Sequence, residues 1–181
     1  MTNYLYLFFL VLTVAACKSP EARKPVSAKS GSFIDQSVAR NIELNEREHA
    51  VFEQLMQADT TTKYIASNSG FWYAYQTQVA DSLITPQFGD KLTFEYHVTD
   101  IAGNTIYSKA DLQPQTYIMD KQELFTGLRE GLKLMRAGET VTFLFPSQKA
   151  YGYYGDENKI GTNVPLICEV TLHSITRSES N

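Results

Sequence analysis

A single apolar stripe of helical period sits in the middle of a chain whose remaining pattern alternates. Leu124, Leu128, Leu132 and Met135 recur at the spacing that lines up side chains on one face of a helix, with Phe125 beside them. A helix is therefore expected over 122–135, closed by Gly138. On either side the period drops to two. Leu92, Phe94, Tyr96 and Val98 share one face of a strand over 90–98, and Ala102-Gly103-Asn104 is a turn signal that folds the next strand back as a hairpin. Further strands are expected over 116–119, 140–145 and 166–175, and strongly β-prone sequence begins at Gly70-Phe71-Trp72-Tyr73. One helix among many strands, with no strand–helix–strand repeat, excludes a wound parallel fold. It leaves an α+β fold in which an antiparallel sheet wraps around one short α-helix.

The sequence ahead of residue 70 reads differently. Asn45 followed by Glu48 has the form of a capping box, and Val51, Phe52, Leu55 and Met56 then recur at helical spacing. A helix is expected over about 45–58, so that 33–69 form a helical N-terminal extension to a domain over 70–181. Residues 17–32 hold Pro20, Pro25, several Ser and Lys and almost nothing apolar, the composition of a solvated tether. Residues 4–14 are apolar apart from Thr13, too short to span a bilayer comfortably and suited to the core of a signal peptide over 1–16. Val14-Ala15-Ala16-Cys17 resembles a bacterial lipobox. That resemblance implies that Cys17 carries lipid, tethers the chain to a membrane and becomes the new N-terminus. An uncleaved anchor or a cysteine in an ordinary signal peptide are the alternatives, and Met1-Thr2-Asn3 lacks the usual basic residues. Lys18 rather than Asp after the cysteine implies a periplasm-facing protein of the outer membrane.

Other classes of function find little support. The net charge of −4 gives no basic face for nucleic acid. With Cys17 lipidated, Cys168 has no disulfide partner, and its place in a strand-like run suits a small buried hydrophobe. His49, His97 and His173 match no local metal spacing and read as surface residues. Gly152, Gly155 and Gly161 follow no strand into a helix, so a phosphate cradle is not indicated. No cofactor or metal is expected, and a monomer is.

Three segments carry a family resemblance. They are Phe125-Thr126-Gly127-Leu128-Arg129-Glu130-Gly131-Leu132, then Met135-Arg136-Ala137-Gly138-Glu139, then Phe145-Pro146-Ser147 with Ala150-Tyr151-Gly152. In that order the chain resembles the FK506-binding-protein (FKBP) class of peptidyl-prolyl isomerases over about 70–176. The resemblance implies an apolar pocket for proline, working without a cofactor on proline-containing polypeptides. Tyr96, Phe125, Tyr151 and Ile160 fall at its catalytic positions, Ile160 as the backbone N–H that binds a substrate carbonyl. Ile106, Tyr117, Leu124, Leu128 and Cys168 fall at substrate-binding positions. Taken singly, Tyr96, Leu124 and Leu128 read equally well as core; Tyr151, in a loop with Tyr153 and Tyr154, does not.

The chain also departs from the family's pattern. Tyr107 stands where many members have an Asp, Leu128 replaces a Trp floor, Cys168 replaces a Phe, and Gln115 falls near another aromatic position. The site is then shallower or reshaped, and an FKBP-fold module that binds chains without isomerising them is the alternative to an enzyme of exported or envelope proteins. More narrowly, the lipobox, the helical extension and the Gly70-Phe71-Trp72-Tyr73 segment resemble the gliding-motility-associated isomerase lipoproteins of the Bacteroidota.

Overall fold

The computed structural model describes residues 30–80 and 84–178. The expected signal peptide, Cys17 and the expected tether up to residue 29 lie outside the described residues, and residues 30–32, expected as tether, are helical instead. Two compact units are distinguished, Met1–Ala39 and Arg40–Asn181. In the first, the described residues belong to the opening turns of helix α1 (Ser30–Ala58), where Phe33, Ile34 and Val38 are exposed. No helix among the described residues is long and apolar enough to cross a membrane.

Helix α1 begins well before the expected start near residue 45. The reason is that Asn45 and Glu48 do not cap a helix. Both sit in mid-helix and reach sideways instead: Glu48 Oε2 accepts the Ser147 N–H at 2.7 Å, and Asn45 Oδ1 accepts from Gln148 Nε2 at 2.6 Å. The expected apolar anchor holds, since Phe52 is fully buried against Trp72 with ring centroids 5.7 Å apart. His49 is half-buried rather than on the surface, edge-on to the same Trp72 at 4.7 Å. Asp59 ends the helix by accepting from the Thr61 and Thr62 N–H groups.

The sheet is built from β1 (Ile65–Ala66), β2 (Trp72–Thr77), β3 (Lys91–Thr99), β4 (Thr105–Tyr107), β5 (Gln115–Ile118), β6 (Thr140–Phe145) and β7 (Leu166–Thr176). Its order is β1-β2-β6-β7-β3-β4, with β5 also paired to β3, and every pairing is antiparallel. Leu92, Phe94, Tyr96 and Val98 are buried on one face of β3, as the alternation requires, while Lys91, Thr93, Glu95, His97 and Thr99 are more open. The open face carries His97 Nδ1 3.8 Å from Glu169 and His173 Nε2 3.5 Å from Glu95. A one-turn helix α2 (Lys109–Leu112) joins β4 to β5 through a capping box between Ser108 and Asp111.

The helix inside the sheet, α3 (Thr126–Leu132), is shorter than its apolar stripe. Leu124 and Phe125 precede it, Phe125 being the extended N-cap residue (φ −61°, ψ 144°), and the chain tightens after Leu132 through Leu134 N–H to the Gly131 carbonyl and Met135 N–H to the Leu132 carbonyl. Two glycines set its depth. A Cβ on Gly127 would lie 2.6 Å from Phe145 Cδ1 and 2.7 Å from the Lys149 carbonyl oxygen, and one on Gly131 would lie 2.9 Å from Phe143 Cε1. Leu128, Leu132 and Met135 are thereby fully buried in the single core cluster, each contributing about 1.5–3 kcal/mol.

Candidate functional site

Six segments contribute the residues expected at the site. Strand β3 brings Tyr96, β4 Ile106, β5 Tyr117 and β7 Cys168. The approach to α3 brings Leu124 and Phe125, and the loop after the 3-10 turn Ser147–Lys149 brings Tyr151 and then Ile160. All belong to the core cluster or pack against it.

Burial divides them into a rim and a floor. Ile106, Leu124, Phe125 and Tyr151 are partly exposed, and the Phe125 and Tyr151 rings lie 5.1 Å apart at 44°. Phe125 is propped from behind by an edge-on contact with buried Phe145 at 5.5 Å. Tyr96, Tyr117 and Ile160 keep 7%, 4% and 3% of their surface. Leu128 and Cys168 keep none, so they support the floor from beneath and do not present a face to a bound chain, contrary to the substrate contact expected of both. Tyr117 is further tied down by its hydroxyl, which accepts the Asp120 N–H at 3.3 Å.

The Ile160 amide also departs from expectation. Its N–H is donated to Asp156 Oδ1 at 2.7 Å, and its carbonyl accepts the Asp156 N–H at 3.0 Å, so that N–H is not open to a substrate carbonyl. The Phe125 N–H, by contrast, finds no acceptor among the described residues, because it precedes the first helical turn and no side chain caps that end.

The loop from Tyr151 to Ile160 is held by a carboxylate that sequence reasoning missed. Asp156 Oδ1 accepts the Asn158 and Ile160 N–H groups, while Oδ2 accepts a hydrogen bond from the Tyr107 hydroxyl. Tyr107 accepts the Lys159 N–H in turn, and Lys159 Nζ stands 4.8 Å over its ring. The signal was present in Tyr107, which departs from the family pattern at the position facing this loop. Gly155 (φ 70°) admits the tight approach, since a Cβ there would sit 2.2 Å from the Ile160 carbonyl oxygen.

Burial governs the charge states. It pushes the Tyr151 phenol up to about 12, with the Asp156 charge adding to it, and raises Tyr96 and the Cys168 thiol as well. Around Asp156, burial pushes the carboxyl upward, yet the hydrogen bonds from Tyr107 and from the Ile160 and Asn158 amides outweigh it and hold the group below the ordinary range. The Tyr151 hydroxyl is therefore a protonated donor at neutral pH, and it has no acceptor among the described residues. The partly exposed apolar rim, with two donors that lack a partner among the described residues, one O–H and one N–H, can hold a polypeptide carbonyl. Among the described residues no three His, Cys, Asp or Glu side chains are placed to hold a metal ion.

Comparison with known proteins bears on the family and the fold. The family model described as FKBP-type peptidyl-prolyl cis-trans isomerase matches residues 84–173. The chain is 35% identical over 97 residues to a protein of Neisseria meningitidis serogroup B named probable FKBP-type peptidyl-prolyl cis-trans isomerase FkpA; the match covers 52% of this chain and 35% of that protein. The chain thus spans about a third of that relative's length. Among solved structures it resembles FkpA from Escherichia coli (TM-score 0.59, 21% identity, covering 94% of this chain and 81% of that one). It also resembles a peptidyl-prolyl cis-trans isomerase from Pseudomonas syringae pv. tomato (TM-score 0.58, 20% identity, 75% and 95%). At those identities the two structures speak for the fold alone.

Proposed function

We propose, on the premise that this chain belongs to the FKBP-type peptidyl-prolyl cis-trans isomerase family through residues 84–173, that it accelerates rotation about X–Pro bonds in polypeptides. One observation carries the reading: two half-exposed rings, Phe125 and Tyr151, stand 5.1 Å apart over a buried apolar floor, with an unpaired hydroxyl on one of them. The barrier to be lowered is about 18–20 kcal/mol and comes from amide resonance, which places positive character on nitrogen and negative character on oxygen. The twisted transition state loses that charge separation, so an apolar cleft favours it over the planar ground state. Phe125, Tyr151, Ile106 and Leu124 enclose the proline ring. The Tyr151 O–H and the Phe125 N–H hold carbonyl oxygens on either side, each contributing about 0.5–1.5 kcal/mol. Tyr96, Tyr117, Ile160, Leu128 and Cys168 keep the floor dry and fixed.

The substrates are exported or envelope proteins, met at a membrane to which lipid on Cys17 ties the chain. The Val14-Ala15-Ala16-Cys17 segment supports that anchorage, and Lys18 supports an outer-membrane, periplasm-facing position. The arrangement of lipobox, helical extension and isomerase domain supports a narrower role among gliding-motility lipoproteins. A second reading, a binding module without turnover, is favoured by one specific observation: Leu128 and Cys168 are sealed, and the Ile160 N–H is taken, which leaves a shallow cleft.

The test is a cis–trans isomerisation assay on the full chain, with peptides varied before proline and a refolding protein limited by proline. Acceleration that Tyr151→Leu abolishes is expected. Binding of the same peptides with no acceleration on any of them would establish the module instead.

A further inference from the structure

A cavity of about 200 Å3 lies between α1 and the loop that carries Tyr151, walled by Asn41, Asn45, Glu48, Gln148, Tyr153 and Asn163. Its wall holds one carboxylate, four side-chain amides and no cation; Arg40 and Arg47 line adjoining grooves. Glu48 is only 6% exposed. Its Oε2 accepts the Ser147 N–H, but Oε1 is sealed from solvent and stands as the buried side-chain oxygen left without a donor among the described residues. An unpaired buried carboxylate oxygen is costly, and a small turn of the Glu48 side chain toward the cavity would let a donor there satisfy it.

The geometry restricts that donor. With Oε2 already engaged, a guanidinium cannot lay its two-pronged fork on the carboxylate. A primary ammonium needs a single carboxylate oxygen and two carbonyl acceptors. Asn41, Gln148 and Asn163 have carbonyl oxygens to offer, whereas Asn45 Oδ1 is already used by Gln148. With a single carboxylate the cavity offers a divalent cation little charge. The volume takes one long side chain and excludes a folded segment.

The cavity also adjoins the cleft. Gly152 is part of its wall, and the residue before it, Tyr151, faces Phe125. Tyr153, 71% exposed, flanks the way between them. We propose that this cavity is a second subsite for the polypeptide substrate, taking the ammonium of a lysine a few residues from the proline; it rests on the isomerase reading and names a preference within it.

The test uses full-length protein and proline peptides in matched pairs, with lysine or norleucine at each position flanking the proline. At one register the lysyl peptide is expected to show a KM about tenfold lower, a difference that Glu48→Gln erases. Asn163→Gly, which keeps the left-handed backbone at φ 55° accessible, is expected to shrink it and serves if Glu48→Gln fails to fold. Equal KM values in every pair, or a preference that survives Glu48→Gln, overturn the proposal. A second readout needs no turnover: n-butylammonium is expected to shift the Asn41 and Asn163 side-chain amide resonances, and no shift overturns the subsite. If those shifts occur and no peptide is isomerised, the subsite stands and the isomerase reading falls. Shifts caused by phosphatidylethanolamine vesicles but not by lysyl peptide would give the ammonium to lipid and overturn it.

Discussion

Replacing Tyr151 by Phe removes a hydroxyl and leaves the ring that packs on Phe125. The expected outcome is a loss of about threefold to tenfold in kcat/KM with unchanged circular dichroism, the size of one hydrogen bond made to the substrate. Full activity in the Phe variant would mean that the carbonyl is held elsewhere. Because burial raises this phenol to about 12, its proton stays in place and kcat/KM should be flat across neutral pH. A titration near neutrality would reveal a participant the geometry does not contain. The sign for stability follows from the same shift. A phenol raised in the folded state favours folding below its ordinary value near 10, and that contribution is lost as pH rises through about 12.

Among the elements, α3 is held closest to the sheet, and Gly127 is its contact point. Gly127→Ala should gain helix propensity of about 1 kcal/mol yet lose roughly 1–3 kcal/mol to collision with Phe145 and the Lys149 carbonyl, so a lower Tm is expected. A higher Tm would mean that the helix sits further from the sheet than described. The Tyr151 loop makes a second test. Asp156→Asn should speed hydrogen exchange at the Asn158 and Ile160 amides, which its carboxylate now accepts. Because the Asp156 pKa is depressed by folding, its contribution is present above the ordinary value of 3.8 and is lost as pH falls through the lower folded value. The variant's deficit should therefore vanish in strong acid, and a deficit that persists there would point to packing. These elements also mark what could be read from the sequence. Period-two alternation located β3 because it buries one face, whereas both faces of β6 are covered at its end, and the apolar stripe located α3. Asn45 and Glu48 misled because a capping box and two long-range hydrogen bonds require the same residue types. Ile160 was misassigned because nothing local reveals that Asp156 claims its N–H, and the depth of Leu128 depends on how closely Gly127 and Gly131 let the helix approach Phe145 and Phe143, which are distant from it in the chain.

For the whole molecule, the proposed anchorage can be tested separately from folding. Cys17→Ser is expected to release the protein from the membrane fraction while leaving its thermal unfolding unchanged, and retention of the variant would favour an uncleaved anchor. The order of the sheet carries another consequence. Strand β7 is the last to be synthesised, yet it lies between β6 and β3, paired with β3 at nine positions from Lys91↔Thr176 to Thr99↔Ile167. Until it arrives, β6 and β3 are two open edges with nothing between them, and Tyr96 and Tyr151 have no common wall. Pairings so distant in sequence close slowly. A chain ending before residue 166 would carry every rim residue and still lack the strand that joins them, leaving bare edges that invite aggregation and proteolysis. A molecule proposed to hasten the folding of others thus cannot begin to work until its own final strand has been made.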